Sequence, residues 1–137
     1  MGPSFLPEDD QAFLASKAIV YREVTEGEQR ALILDQFTLP SGHRLLSIDG
    51  ILRSATVADI LIFIPKGYRT TRLDSFYTRP HLKLPGGADP QNAAGTATFN
   101  ALVWQFWSRH LGEADWNAGI DGLNVFLQHV KTALRTA

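Results

Sequence analysis

The sequence predicts an α+β domain in which an antiparallel meander of about four strands is flanked by an N-terminal helix and a C-terminal helix. Three observations carry this expectation. Strand-like stretches gather in the first part of the chain instead of alternating with helices, an order that argues against a parallel doubly wound sheet. Near the C-terminus, Ile120, Leu123, Phe126, Leu127, Val130 and Leu134 form one apolar stripe at helical spacing. At the other end, Pro7 precedes Glu8, Asp9 and Asp10. Proline loses no hydrogen bond at the first helical position, and acids favour the positive end of the helix dipole.

Taken in order, the first helix is expected over Leu6 to Ser16. Ala18 to Val24 and Arg30 to Phe37 are β-branched, aromatic and apolar in alternation, and Thr25-Glu26-Gly27-Glu28 between them suits a hairpin. Leu39 to His43 has turn chemistry. Ala58 to Ile64 reads as a buried strand stopped by Pro65, with a turn at Lys66-Gly67 and a further strand over Asp74 to Thr78. From Arg79 to Pro90 the chain holds Pro80, Pro85, Gly86, Gly87 and Pro90, which predicts a long loop. Phe99, Leu102, Val103, Phe106 and Trp107 recur at helical spacing, so a helix ending near Gly112 is expected, although strand pairing over part of this stretch stays open. The last helix is expected from about Asp121, as its cap, to Arg135. Ile60, Ile62, Phe63, Tyr68, Trp116, Leu123, Phe126, Leu127 and Val130 are the expected core, together with Trp104 and Trp107.

The 137 residues suit one domain. Apolar residues make up 45 % and charged residues 20 %, and the longest apolar run, Ile60 to Ile64, is far short of a membrane span. The opening residues lack a basic start and an apolar h-region, so a cytoplasmic, soluble protein is expected. Thirteen Lys and Arg against fourteen Asp and Glu leave a net charge of −1. No basic stripe alternates with aromatics, which argues against nucleic acid as a partner. The chain has no cysteine, which removes disulfides, thiolate catalysis and cysteine metal sites together. Its four histidines, His43, His81, His110 and His129, have no metal-ligand spacing. Neither a metal nor another cofactor is expected.

Specific residues add to this order. Pro65 ends a strand, Tyr68 follows three residues later, and a second strand ends at Thr78; Trp116 opens Trp116-Asn117-Ala118-Gly119-Ile120-Asp121-Gly122-Leu123. In these places the chain resembles the ubiquitin-conjugating-enzyme (E2) superfamily, and the string Trp104-Gln105-Phe106-Trp107-Ser108-Arg109-His110 is similar to prokaryotic E2 family E. The resemblance covers nearly the whole chain. It implies the UBC-like fold, an E1-like activating enzyme and a ubiquitin-like protein as partners, and a JAB-type deconjugating protease in the same pathway. The later prolines of common E2s are replaced by Arg69, Arg72 and Leu73, and no His-Pro-Asn precedes the site, as family E itself lacks it.

In E2s the reactive cysteine lies eight residues before the tryptophan, and counting back from Trp116 reaches Ser108. The resemblance therefore makes Ser108 the reactive position, as a native serine or as the replacement of a cysteine. An acyl-transferring serine needs a base, and His110 is the nearest group able to take its proton near neutrality. On a continuing helix the two side chains would diverge by about 200°, whereas an extended or turned chain brings them to one side. The bland alternative makes Ser108 a helix-end serine and His110 a surface histidine. Arg109 reads more readily as a solvated surface group than as a partner contact, neither Asp115 nor Asp121 is favoured as an amine-polarising group, and His81 has no visible partner. The leading expectation is a conjugating enzyme working through Ser108. The alternative is an inert E2-like module that binds a ubiquitin-like protein or an E1, and a serine hydrolase ranks third because no Gly-x-Ser-x-Gly elbow is present and no acid is evident for His110.

Overall fold

A six-stranded antiparallel sheet lies at the centre of the fold, two strands more than the sequence predicts. The computed structural model describes residues 4–40, 44–46 and 52–137. Helix α1 (Glu8–Ser16) leads into β1 (Tyr21–Glu26), β2 (Gln29–Thr38), β3 (Arg44–Leu46), β4 (Leu52–Ser54) and β5 (Val57–Phe63). Then come β6 (Phe76–Arg79), β7 (Leu82–Lys83), β8 (Thr96–Phe99), β9 (Leu102–Trp107) and α2 (Leu123–Arg135). The large sheet has the order β1-β2-β5-β6-β9-β8, and β4-β3-β7 form a small second sheet. Part of the expected turn at Leu39 to His43 lies outside the described residues.

Side chains two apart on a strand share a face, and β2 shows the consequence. Leu32 and Leu34 join Ile60, Ile62, Phe76 and Trp107 in the main core, against Leu14 of α1 and Leu123, Phe126, Leu127 and Val130 of α2. Ala31 and Ile33 point the other way, into a smaller cluster with Leu61, Phe99 and Trp104. Of the expected core, Phe63 and Tyr68 are only half-buried, and Ile120 from the expected stripe is 76 % exposed because α2 begins after it.

The expected helix over Phe99 to Trp107 is instead the β8–β9 hairpin. Asn100 and Ala101 have φ of 52° and 64°, the positive pair of a type I′ turn, whose twist matches paired strands. Thr98 and Phe99 then face Val103 and Leu102. Apolar side chains occur on both faces of β9, since Trp104 fills the small cluster and Trp107 the main core. From Trp104 to Trp107 both faces are covered and the period of two is lost, and together with the exposed Leu102 and Val103 these apolar positions imitate helical spacing.

The expected loop over Arg79 to Pro90 carries β6's last residue and the short β7, and it is fastened to β9 by the buried Gln105. Gln105 Oε1 accepts from Leu82 N at 2.8 Å and Thr78 Oγ1 at 2.8 Å, and Nε2 donates to the carbonyls of Leu82 at 3.0 Å and Ala93 at 2.8 Å. His81, for which the sequence offers no partner, lies 2.6 Å from Asp89 Oδ1, which Lys83 Nζ also meets at 2.7 Å. Lys83 and then His81 hold the Asp89 carboxyl below its ordinary range.

Asp121 does not cap α2. Its carboxylate accepts from Asn117 N, and the cap comes from α1: buried Asp10 Oδ1 accepts from Leu123 N at 3.1 Å. Asp10 also takes hydrogen bonds from Tyr68 Oη at 2.5 Å and Arg69 Nη2 at 2.9 Å. Burial, with the Asp10 carboxylate beside it, pushes the Tyr68 phenol well above its usual range. Residue 122 must be glycine for this approach, because a Cβ there would lie 2.5 Å from Asp10 Oδ1 and 2.9 Å from Arg69 Nη2. Removing Asp10 leaves an uncapped helix and a stranded tyrosine, and takes from Arg69 one of its two carboxylates, so Asp10→Ala should cost about 3 kcal/mol in urea denaturation. Asp10→Asn, which keeps a capping oxygen, should cost clearly less; equal losses would contradict the capping role.

Candidate functional site

The site grows from the pairing of β6 with β9. Phe76 is opposite Trp107, Tyr77 opposite Phe106 and Thr78 opposite Gln105, and Phe76 and Trp107 stack with ring centroids 5.4 Å apart. Continued one residue past that last pair, the antiparallel register brings the chain before β6 to the chain after β9, so Asp74 and Ser75 meet Ser108 to His110. Arg109 N donates to Trp107 O at 2.8 Å, closing a γ-turn with Ser108 at its apex. Ser108 therefore stands at a tight turn beyond a strand end, not at a helix end.

Because this segment is turned, Ser108 and His110 fall on one side. Ser108 Oγ is 3.2 Å from His110 Nε2, and His110 Nδ1 is 2.8 Å from Asp74 Oδ1 and 2.9 Å from Ser75 Oγ. A carboxylate only accepts hydrogen bonds, so the network assigns the proton of the neutral ring to Nδ1 and leaves the Nε2 lone pair facing the Ser108 hydroxyl. That is the tautomer a general base for Ser108 requires. Ser108 is half-buried, while the His110 and Asp74 side chains are 54 % and 52 % exposed.

The surrounding backbone is pinned on several sides. Ser108 N donates to Asn92 O at 2.8 Å, and Leu111 N to Asp74 O at 3.3 Å. Arg72 Nε donates to Leu111 O at 2.8 Å, and its Nη2 lies 3.8 Å from Asp74 Oδ1. His129 of α2 donates from Nε2 to Arg109 O at 2.5 Å, and Arg109 Nε donates to Gln91 O at 3.2 Å. A hollow of about 420 Å³ results, bounded by Asn92, Ser108 to His110, and the C-terminal part of α2. It adjoins the segment just after the expected Arg79 to Pro90 loop, not that loop itself.

Of the residues weighed in the sequence, Ser108, His110 and Arg109 share this hollow. Asp121 does not, being tied to Asn117 N, and His81 is engaged with Asp89. Asp115 lies in a 3₁₀ turn over Glu113–Asp115. Asp74, Ser75, Asn92 and His129 were missed, since only the β6–β9 register and the docking of α2 bring them near Ser108. Among the described residues, no group of three or more His, Asp or Glu is placed to hold a metal ion.

A helix before and a helix after a central antiparallel sheet define an α+β protein of UBC-like fold. The match to prokaryotic E2 family E runs over residues 6–137, and the chain belongs to that family. Membership gives it a general role in ubiquitin-like conjugation, a setting of E1-like enzymes and ubiquitin-like proteins. No curated protein and no solved structure matches the chain. No helix among the described residues is long and apolar enough to cross a membrane.

The tautomer offers a check that is independent of any activity. Imidazole ¹⁵N NMR of neutral His110 should find the proton on Nδ1, and Asp74→Ala should erode that preference because Ser75 can then donate to Nδ1. A ring protonated mainly on Nε2 in the unaltered protein would contradict the geometry.

Proposed function

We propose that the protein is an E2-like transferase that carries the C-terminal acyl group of a ubiquitin-like protein on Ser108 Oγ, as an oxyester, and passes it to an amine of a target. The observation that supports this reading is the hydrogen bond from Ser108 to a histidine whose other nitrogen is backed by Asp74. A serine hydroxyl is a weak nucleophile at neutral pH, and a positioned base is what activates it. Ser108 Oγ attacks the carbonyl activated by the E1-like enzyme while its proton passes to His110 Nε2. The leaving group departs with that proton. An amine then attacks the ester, the amide forms, and Ser108 regains its hydrogen.

The setting we infer is cytoplasmic, with a JAB-type protease reversing the modification in the same pathway. The alternative, an inert module that binds the modifier or the E1-like enzyme, draws on the lack of cysteine. In that case Ser108 carries no acyl group.

Incubation with the E1-like enzyme, the modifier and ATP, read by intact mass, separates these. The unaltered protein should form an adduct resistant to thiols and cleaved by alkali, and Ser108→Ala should form none while keeping its fold. Ser108→Cys should give a thiol-sensitive adduct, since thiolate is the easier nucleophile. His110→Ala should slow adduct formation by roughly 10²- to 10⁴-fold. An undiminished adduct in Ser108→Ala would remove the assignment.

A further inference from the structure

Ser108 Oγ, His110 Nε2, His110 Nδ1 and Asp74 Oδ1 follow one another at 3.2 Å and 2.8 Å across the ring. This is the nucleophile, base and orienting acid arrangement that acyl transfer uses on unrelated folds, recognised by geometry and not by chain order. The acid that the sequence left unassigned is Asp74, supplied by the segment that leads into β6. Two further features bear on what such a set does here. His110 is more than half exposed, so bulk water reaches the Nε2 side without displacing a partner protein. The hollow beside Ser108 is walled on the α2 side by His129, Thr132, Ala133 and Thr136, and the last three are small side chains that leave room for a short acyl group and offer little apolar surface to a long one.

We propose that the protein is also a hydrolase of short-chain carboxylic esters, with Ser108 as nucleophile, His110 as general base and Asp74 as the positioning residue of the imidazole. The activity shares Ser108 with the conjugation reading but needs no activating enzyme and no modifier. Ser108 Oγ adds to the ester carbonyl and its proton moves to His110 Nε2. The tetrahedral adduct expels the alcohol, which leaves with that proton, and Ser108 holds the acyl group. Water then adds to the acyl carbon, giving its proton to Nε2. Collapse releases the carboxylic acid, and Ser108 Oγ takes the proton back. The sum is ester plus water to acid plus alcohol.

The position of the oxyanion sets the expected speed. The Ser108 N–H is committed to Asn92 O and does not serve a developing negative charge. The Arg109 N–H is likewise committed, to Trp107 O, and Arg109 Nε to Gln91 O. A site without preorganised backbone donors, open to high-dielectric solvent, gains less from electrostatic stabilisation than a closed one. The hydrolysis is therefore slow, with general-base assistance as its main source of acceleration.

The test uses p-nitrophenyl acetate and the full chain, following p-nitrophenolate release together with intact mass. The expected result is a burst of release with a Ser108-borne acetyl group, followed by turnover, and weaker turnover of p-nitrophenyl decanoate. Ser108→Ala should reduce release to the buffer rate with an unchanged melting temperature. Asp74→Asn should lower kcat by about 10²-fold at a similar KM, a split that general loss of structure would not give. Labelling of Ser108 by a fluorophosphonate provides a second readout that requires no substitution. Release by the unaltered protein at the buffer rate would overturn the proposal. So would undiminished release by Ser108→Ala, which would assign the cleavage to another nucleophile such as His129. Esterase failure alongside an E1-dependent adduct leaves the conjugation reading intact, and the reverse pattern leaves only the hydrolase.

Discussion

Asp10 is the residue on which the placement of both helices depends. One buried carboxylate receives the Tyr68 hydroxyl, the Arg69 guanidinium and the first N–H of α2. A negative group at a helix N-terminus is favoured by both the dipole and the unsatisfied amides there, so α1 closes α2 by supplying the cap that Gly122 lacks. The same knot holds the chain between the site and α2. Trp116 Nε1 donates to Arg69 O at 2.9 Å, and Gly119 N to the same carbonyl at 2.6 Å. The departures from the usual E2 pattern become intelligible here: where common E2s have prolines, Arg69 binds Asp9 and Asp10, and Arg72 braces Leu111 O.

From that anchor the site follows by packing. α2 lays Leu123, Phe126, Leu127 and Val130 on the sheet, and its middle turn brings His129 to the carbonyl of Arg109. The β6–β9 register sets Asp74 and Ser75 against the turn at Ser108. Gln105, two strand residues before the stacked Trp107, ties down the irregular stretch whose end presents Asn92. Burial of an amide is stabilising only when its donors and acceptors are satisfied, and Gln105 meets that condition by fastening the loop. Ser108 and His110 thus belong to one short turn, while the groups hydrogen-bonded to that turn come from three separate parts of the chain.

What was legible in the sequence was what local pattern determines. The apolar stripe of α2, the acid-rich start of α1 and the Ala58 to Ile64 strand all depend on residues near in sequence, and each was readable. The eight-residue spacing to Trp116 singled out Ser108, and His110 followed from proximity. Asp74 was not readable because it reaches His110 only through the pairing of two strands far apart in the chain. The β8–β9 hairpin does not read as strands because β9 adds the exposed Leu102 and Val103 to apolar residues on both faces of its second half, at positions that a helix would also use. Its turn, Asn100-Ala101, lacks the glycine that signals such hairpins most strongly. Asp10 as a cap was invisible for the reason that hid Asp74: the helix it closes lies at the other end of the chain.

Peptide mapping of the adduct formed with the E1-like enzyme, modifier and ATP tests most directly the acyl group proposed on Ser108. Tandem mass spectra should find the modifier's C-terminal remnant on the Ser108 hydroxyl, in a linkage lost on alkaline treatment. A remnant found only on lysine side chains, or no remnant on any residue, would contradict the account.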